Sequence, residues 1–320
     1  MDSKRGYEQV NKYIATGNVI TNRIIFTDKR VVEGIMGGHG LYAHEGISLG
    51  TDNCIFVASV GKDFDEYYGK WFDDNHMSKE GLKFNLERCN YNEVVYAEDG
   101  QFIEYSIYGP EEEEKNRALS YMTCDDIEPF LEGTKGIYSM FLFDKERFCQ
   151  QREKYGFKYM WEYTPSVLKE SGKDAVMDYI AITDIYSLNR PESYALFGVD
   201  NEEAAIAEIQ NLGKPCYYRV GSKGAYMVNG KDVAFVPIVH VVSRDLEIDP
   251  TGCGNSSTAG ALWAFAEGFD TLMTCIWGNV VAGFNSMQYG PKLVINNEVR
   301  KQARKKAEEL YKELNNRWSV

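Results

Sequence analysis

The sequence predicts an α/β protein in which a mostly parallel sheet is covered by helices. Segments with helical periodicity alternate with short apolar, strand-like segments along the 320 residues, which is the pattern of βαβ units. The chain contains no internal repeat, no low-complexity linker and no shift in composition that would mark a domain boundary. The prediction is therefore one domain, residues 1–320, with a small additional sheet.

Short apolar segments bounded by turn residues predict the strands. They are residues 18–26, 54–60, 138–143, 179–182 and 215–220, and the pair 225–229 and 233–236, which forms a hairpin around Gly230. Residues 94–96 and 102–108 predict a further hairpin, because the Asp99-Gly100 dipeptide between them favours a tight turn.

Helical periodicity predicts helices between and after these strands. They cover residues 63–75, 201–212, 256–267, 272–287 and 298–314. The acidic run 111–114 after Pro110 is interpreted as a solvated loop or the start of a helix, since charged residues at this density are typical of an exposed surface.

The net charge of −13 excludes one class of function. Nucleic-acid binding requires clustered lysine and arginine residues that neutralise phosphates, and the sequence has no such cluster. The basic stretch 300–306 alternates into Glu308 and Glu309, which is typical of a solvated helix face. We therefore expect no nucleic-acid partner, and a bound phosphate has to be held by local backbone donors.

Cysteine usage and hydropathy predict a cytoplasmic location. The seven cysteines are scattered and none has C-x-x-C spacing, which argues against a disulfide framework and against a zinc site. No apolar run follows residues 1–5, so no signal peptide is expected. No segment reaches the roughly 18–20 apolar residues of a membrane helix, so no membrane partner is expected either.

A glycine-rich segment carries most of the functional information. Residues 249–257 have the sequence D-P-T-G-C-G-N-S-S and precede a segment rich in small residues. Gly252 and Gly254 let backbone amides turn inward, and the helix that follows presents free N–H groups and the positive end of its dipole. This combination favours a bound phosphate. A helix entry capped by Ser or Asn is the alternative interpretation.

This segment resembles the signature D-T-x-G-A-G-D of the ribokinase-like (PfkB) family of carbohydrate and nucleoside kinases. In that family the glycine-rich turn forms an anion hole for the transferred phosphoryl group, and the final Asp is the general base. The matching residues are Asp249, Thr251, Gly252 and Gly254, and the departures are Pro250, Cys253 and Asn255. The resemblance implies an anion hole at Gly252, Cys253 and Gly254, with Asn255 in place of the catalytic Asp.

Other motifs of the family follow in the expected order between about residues 17 and 291. They are G-G-H-G at 37–40, V-G-K-D at 60–63, N-R-P-E at 189–192, G-S-K-G-A at 221–225 and W-G-N at 277–279. The resemblance implies a three-layer α/β/α fold with a mostly parallel central sheet. It also implies a small β lid from about residues 24–35 and 94–108, through which two copies pair as a homodimer.

The resemblance also assigns two groups of binding residues. The group implied to bind ATP is Asn189, Glu192, Gly221, Gly224 and Asn279. The group implied to bind substrate is Asn22, Gly38, His39, Tyr42 and Asp249. No His, Cys and carboxylate residues have the spacing of metal ligands, so Mg²⁺ is expected to arrive with ATP.

Three positions depart from the family together. Asn22 and Tyr42 stand where substrate-binding Asp and Asn residues are usual, and Asn255 stands where the base is usual. An amide cannot accept a proton at neutral pH, and loss of a general base typically costs about 10²–10⁴ in rate. Three routes to transfer without an Asp at position 255 remain open. The anion hole supports slow transfer by itself, another carboxylate such as Glu162 or Asp184 is the base, or Asn255 is deamidated to Asp.

Four side chains keep two interpretations each. His39 and His44 either contact substrate or are ordinary loop histidines. Tyr42 either stacks on a substrate ring or packs in the core. Cys253 is either a thiol activated by the helix N-terminus or a small residue in place of Ala.

Two hypotheses of function follow. The first is an ATP-dependent phosphotransferase that acts on a hydroxyl group of a sugar, a sugar derivative or a nucleoside. The second is a catalytically silent relative that binds a nucleotide or metabolite and acts as a sensor or partner. A dinucleotide-dependent oxidoreductase is disfavoured, because no G-x-G-x-x-G follows the first predicted strand.

Overall fold

The fold consists of two β-sheets and the helices packed around the larger one. The structure is a computed structural model that describes residues 13–97, 102–241 and 248–318. The strands of these residues are β1 (Tyr13–Gly17), β2 (Ile20–Ile25), β3 (Val31–Gly37), β4 (Cys54–Gly61), β5 (Leu82–Leu86), β6 (Asn90–Tyr96), β7 (Phe102–Ser106), β8 (Gly136–Ser139), β9 (Lys158–Glu162), β10 (Ile185–Asn189), β11 (Cys216–Arg219), β12 (Gly224–Asn229) and β13 (Asp232–Pro237).

The larger sheet has nine strands in the order β13-β12-β11-β10-β9-β8-β1-β4-β5. The seven strands from β11 to β5 pair in parallel, and β12 and β13 form an antiparallel hairpin at one edge. The predicted α/β class and the mostly parallel sheet are confirmed.

The helices are named in chain order. They are α1 (His39–Ser48), α2 (Lys70–Asp74), α3 (Pro110–Ser120), α4 (Cys124–Ile127), α5 (Lys145–Tyr155), α6 (Pro165–Ile182), α7 (Arg190–Phe197), α8 (Glu202–Leu212), α9 (Cys253–Ala266), α10 (Thr271–Asn285) and α11 (Asn297–Trp318). α3 begins at Pro110 with three glutamates in its first turn, where the helix dipole favours negative charge, so the acidic run is a helix start.

Both faces of the larger sheet are buried. Successive residues of β1 alternate between two hydrophobic clusters, with Tyr13 and Ala15 in one and Ile14 in the other. The first cluster also holds residues of α1, α9, α10 and α11, and the second holds residues of α5 to α8. This is the three-layer α/β/α arrangement, and burial on both faces explains why β4 is an uninterrupted run of buried residues.

The smaller sheet has the order β3-β2-β6-β7. Its strands contain most of the predicted segments 24–35 and 94–108, and β6 pairs with β7 in antiparallel register as expected for a hairpin. The Asp99-Gly100 turn lies outside the described residues.

One strand prediction is wrong. Residues 179–182 form the last turn of α6 rather than a strand. Val176, Tyr179 and Ile180 are buried together, which is the i, i+3, i+4 spacing of a helix face. A short apolar run at the end of a buried helix cannot be told from a buried strand by periodicity alone.

A buried carboxyl group on α1 makes the stability of the fold depend on pH. Glu45 is fully buried, and its Oε1 accepts a hydrogen bond from the Lys292 backbone N–H at 3.0 Å. Its Oε2 has no hydrogen-bond partner among the described residues. Burial raises the pKa of Glu45 to about 8, although the Lys292 contact opposes the shift.

The folded protein therefore holds this proton at pH values at which the unfolded chain has lost it. The protonated Glu45 therefore stabilises the folded state fully at pH values below its pKa in the unfolded chain. This stabilisation is lost as the pH rises through the pKa of Glu45 in the folded protein. Glu45→Gln removes this pH dependence. From pH 5 to pH 8 the free energy of unfolding of the variant should therefore rise by on the order of 2–3 kcal/mol relative to that of the wild type. Urea denaturation at both pH values measures the difference, with the exposed Glu298→Gln as control; an equal difference at both pH values would contradict the prediction.

Candidate active site

The carboxyl ends of four neighbouring parallel strands meet the start of α9. Strands β8, β9, β10 and β11 end at Ser139, Glu162, Asn189 and Arg219. In an open α/β sheet, ligands bind in the crevice at this edge. α9 begins at Cys253 and packs across β8, β9 and β11, so its N-terminus is at the same place. The Cys253 N–H itself donates to the Pro250 backbone oxygen at 3.1 Å.

The glycine-rich turn, residues 249–254, is shaped by its own hydrogen bonds. Asp249 Oδ1 accepts from the backbone N–H of Thr251 at 2.9 Å and from its hydroxyl at 2.6 Å. Gly252 caps α9 with a positive φ of 79°, and a Cβ atom there would lie inside van der Waals contact with the Tyr42 ring. Glycine is therefore required at position 252 on two grounds, its backbone conformation and the approach of Tyr42.

Arg219 lies directly over the start of α9. A Cβ atom at Gly254 would collide with Arg219 Nη1, so the guanidinium group rests on the bare Cα of this glycine. Nη1 pairs with Glu162 Oε1 at 2.9 Å, and Nη2 lies 3.7 Å from Glu192 Oε2. The guanidinium group and the N-terminus of α9 bring hydrogen-bond donors that suit a phosphate to one point, and Glu162 and Glu192 offset the charge of the guanidinium group.

Asn255 is held by the residues at the end of β8 and β9. Its Nδ2 donates to Glu162 Oε1 at 3.1 Å and lies 3.5 Å from the Tyr138 hydroxyl. That hydroxyl donates to Glu162 Oε2 at 2.6 Å. Burial, followed by the Glu162 charge, raises the pKa of Tyr138 well above its usual value, so it remains a neutral donor.

Asn189 and Glu192 form a capping box at the start of α7. Asn189 Oδ1 accepts from the Glu192 backbone N–H at 3.0 Å, and Glu192 Oε2 accepts from the Asn189 backbone N–H at 2.7 Å. Burial raises the pKa of Glu192, while the nearby Arg219 charge opposes the shift. The box fixes both side chains beside the guanidinium group of Arg219.

A cavity of about 560 Å³, the first cavity, opens beside the glycine-rich turn. Six residues predicted from the sequence line it, namely Gly221, Gly224, Asp249, Cys253, Gly254 and Asn279. Asn279 Nδ2 donates to the Cys275 backbone oxygen at 2.9 Å, which fixes the orientation of its amide. A Cβ atom at Gly224 would collide with the Val236 backbone oxygen, which explains the second glycine of that motif.

Comparison with known proteins finds similarities in sequence and in structure. Residues 146–296 match the sequence model of the pfkB family carbohydrate kinase. The adenosine kinase of Sinorhizobium meliloti has a similar structure, with a TM-score of 0.72 at 16% identity over 92% of this chain and 99% of that chain. The chain shares the fold of this kinase. At this identity, the structural likeness establishes the ribokinase-like fold.

Further similar proteins carry other names. One is aminoimidazole riboside kinase from Salmonella enterica, whose structure was determined in complex with aminoimidazole riboside and an ATP analog. The two structures have a TM-score of 0.70 at 15% identity, and the match covers 92% of this chain and 100% of that chain. Protein MAK32 of Saccharomyces cerevisiae is 27% identical over 150 residues, which are 41% of this chain and 41% of that protein. An uncharacterized protein of Schizosaccharomyces pombe is 24% identical over 325 residues, covering 87% of this chain and 85% of that protein.

The residues expected to contact a PfkB substrate lie where α1 meets the smaller sheet. Asn22 is buried on β2, with its amide against Gly37. Gly38 caps α1 with a φ of 101°, and a Cβ atom there would meet the Asn18 backbone oxygen. Tyr42 is buried, its ring lies on Gly252, and its hydroxyl is 3.4 Å from the Met36 backbone oxygen.

The two histidines near this site differ. His44 is buried in an aromatic cluster, with ring centroids 5.7 Å from Phe56 and 6.0 Å from Phe72, so it is a core residue. His39 faces a second cavity of about 560 Å³ and packs edge-on against Phe141 at 5.3 Å. Burial lowers the pKa of His39 to about 4, so its ring is neutral at physiological pH.

The second cavity lies between α3, α6 and the smaller sheet. Asn18, His39, Asn90 and Tyr121 are among its lining residues. Asn18 Oδ1 and His39 Nε2 are buried without a hydrogen-bond partner among the described residues. Met140 lines the same cavity and lies beside Asn255, at 3.6 Å from Sδ to Nδ2, so the cavity adjoins the site of Asn255.

The structure separates the two carboxylates considered as alternative bases. Glu162 lies beside Asn255, as described above. Asp184 precedes β10, pairs with Arg152 at 2.7 Å and Lys158 at 3.3 Å, and so lies at the amino ends of the strands. Asp184 is therefore on the wrong edge of the sheet for this role.

Sequence reasoning missed two residues of the site, Arg219 and Tyr138. A charged residue at the end of an apolar strand, directly before the 221–225 glycine motif, was the available signal for Arg219. Tyr138 had none, since a tyrosine within an apolar run resembles any core aromatic residue. A larger cavity of about 1060 Å³ opens at the opposite edge of the sheet, near Asp52, and contains none of the predicted site residues.

Three further findings concern the described residues only. No group of three or more His, Cys, Asp or Glu side chains among them is placed to hold a metal ion. All seven cysteines lie within these residues, and no disulfide joins any of them. No helix in the described part of the chain is long and apolar enough to cross a membrane.

Proposed function

We propose that this chain is an ATP-dependent phosphotransferase that acts on a hydroxyl group of a sugar, a sugar derivative or a nucleoside. The observation that carries the proposal is the junction of the first cavity with the start of α9, under the guanidinium group of Arg219. Free N–H groups of a helix and a buried cation are the donors that phosphoryl transfer uses to stabilise the charge of the transferred group.

The first cavity is assigned to ATP. Its walls combine apolar side chains such as Val239 and Ala282 with the glycine backbone of Gly221 and Gly224, which suits an adenine ring and its ribose. Asn279 is placed beside the base, and the anion hole of Gly252, Cys253 and Gly254 holds the γ-phosphate. Asn189 and Glu192 orient Mg²⁺, which arrives with the nucleotide.

The acceptor is assigned to the space between Asn255 and the second cavity. The unpartnered Asn18 Oδ1 and His39 Nε2 offer hydrogen bonds to hydroxyl groups, and neutral His39 adds no charge. Tyr121 and Phe141 provide flat apolar surface beside them. These features support a neutral, hydroxylated acceptor, with Asn22, Gly38, Tyr42 and Asp249 completing the substrate side.

The smaller sheet is proposed as a lid that closes over the acceptor. Tyr96 on β6 already reaches the glycine-rich turn, with its hydroxyl 3.1 Å from that of Thr251. Val31, Ile103 and Tyr105 are exposed apolar residues of this sheet, which supports the predicted homodimer. The homodimer stays a prediction, which a measurement of the mass in solution checks. The cytoplasmic location also stays a prediction, and the absence of disulfides among the seven cysteines supports it.

A second candidate is the catalytically silent relative. Two observations favour it, the amide of Asn255 at the position of the base and the Tyr42 ring packed on Gly252. Such a protein would bind a nucleotide or metabolite in the first cavity and act through that binding.

The deciding experiment measures ADP release from Mg·ATP with a panel of sugars and nucleosides. We expect release that depends on at least one acceptor, and Ala282→Phe should weaken ATP binding by at least about tenfold, or about 1.4 kcal/mol, because the ring fills the first cavity. Ala204→Phe on α8 lies outside the cavity and serves as control. Binding of ATP without transfer to any acceptor would replace the kinase by the silent relative.

A further inference from the structure

A carboxylate other than the expected one lies at the reaction centre. Glu162 Oε1 is 3.1 Å from Asn255 Nδ2, so the Glu162 carboxylate and the Asn255 amide share the position at which a base is required. The Glu162 side chain is 3% exposed, and it enters from the end of β9. Because Glu162 Oε1 and Asn255 Nδ2 are only 3.1 Å apart, an acceptor hydroxyl placed between them is within hydrogen-bond reach of both, as a general base requires.

The hydrogen bonds of Glu162 also indicate how it is released for catalysis. Oε2 accepts from the Tyr138 hydroxyl, while Oε1 accepts from both Arg219 Nη1 and Asn255 Nδ2. Arg219 Nε has no hydrogen-bond partner among the described residues, and its guanidinium group lies on Gly254, where the γ-phosphate is assigned. A bound phosphate would compete with Glu162 for this guanidinium group.

We propose that Glu162 is the general base of the transfer and that Arg219 couples it to ATP. This inference rests on the proposed function. When ATP binds, Arg219 turns from Glu162 Oε1 to the γ-phosphate, and Oε1 becomes open to the acceptor hydroxyl. The hydroxyl proton passes to Glu162, the acceptor oxygen bonds to the γ-phosphorus, and the bond to the bridging oxygen breaks with its electron pair leaving on ADP. The proton then passes to solvent.

The other ionisable groups near the centre are less suited to this role. Tyr138 is a neutral donor to Glu162 and cannot accept the proton. Glu192 is held in the capping box of α7. Asp249 Oδ1 is held by Thr251 within the glycine-rich turn, and although its Oδ2 has no hydrogen-bond partner among the described residues, Asp249 lines the first cavity, which is assigned to ATP, and not the second. Asn255 acts in this scheme as the positioning residue that orients Oε1.

The test exchanges the two side chains. Glu162→Gln should lower kcat for acceptor-dependent transfer about 10²–10⁴-fold. It should leave ATP binding as tight as in the wild type or tighter, because Arg219 is freed for the phosphate. The double variant Glu162→Gln with Asn255→Asp returns one carboxylate and one amide to the pair. Its kcat should be at least about tenfold higher than that of Glu162→Gln alone. Asp184→Asn, at the far edge of the sheet, is the control that keeps wild-type turnover.

The outcomes separate this inference from the proposed function. Wild-type transfer together with an unimpaired Glu162→Gln variant overturns the inference alone. So does a folded double variant, checked by circular dichroism, that recovers nothing. If the wild type binds ATP but transfers to no acceptor, the proposed function fails and the inference fails with it.

Discussion

Replacing Arg219 with methionine is expected to lower the free energy of unfolding by about 3–5 kcal/mol. Arg219 and Glu162 form an ion pair at 2.9 Å with side-chain exposures of only 14% and 3%. Removing the cation leaves the carboxylate of Glu162, which is only 3% exposed, without its partner, and the cost of such an uncompensated charge exceeds that of the lost contact. Under the proposed function ATP binding should weaken as well, since the same guanidinium group lies where the γ-phosphate is assigned.

Chemical denaturation and ATP titration measure the two effects. Adding Glu162→Gln to the Arg219→Met variant removes the unpaired charge, so it should restore part of the stability but not the ATP affinity. Arg190→Met is the matched control, because Arg190 pairs with Glu202 at 3.3 Å but is 40% exposed, and its loss should cost less than about 1 kcal/mol. A stable Arg219→Met variant would show that the pair is not buried as described.

Replacing Gly252 with alanine is expected to damage both the fold and the transfer reaction. The residue has a φ of 79°, and its new Cβ would collide with the Tyr42 ring. Left-handed strain and overpacking together should cost about 2–5 kcal/mol. Because the turn would have to move relative to α9, transfer should fall by about 10²-fold, the effect of a displacement of about 1 Å at a reaction centre.

A second glycine isolates the contribution of the Tyr42 ring. Gly230 has a φ of 61°, but a Cβ atom at this position would meet only open space, so Gly230→Ala should show the strain alone, about 1–2 kcal/mol. In a double-mutant cycle, Tyr42→Ala should relieve the collision and give a coupling of about 1–3 kcal/mol with Gly252→Ala. Equal losses in the two glycine variants, with no coupling to Tyr42, would refute the collision.

Much of the fold could be predicted because local sequence patterns indicate many of its strands and helices. The β4 segment is apolar throughout and ends at a glycine, and the β12–β13 hairpin surrounds Gly230, so both were found within a residue or two. Several elements were not found, among them the strand β1 and the helix α6. Neither has a pattern that distinguishes it locally, and the burial of both depends on neighbours that are distant in the sequence.

The glycine motifs were informative for a related reason. Glycine at 38, 224 and 252 is required by a close approach and by a positive φ, so the requirement is visible in the residue type. At Gly254 the close atom is the end of the flexible Arg219 side chain. The sequence by itself therefore determined the α/β class, the glycine-rich turn and the absence of a carboxylate at position 255.

Only the tertiary structure decided what surrounds Asn255. Glu162 is 93 residues away along the chain and meets Asn255 because β9 ends where α9 begins. Arg219 joins them from β11, two strands away in the sheet. A single charged residue at a strand end has no periodicity and no spacing rule, so its partner is set by strand order and helix packing, which bring the carboxyl ends of separate strands to one edge.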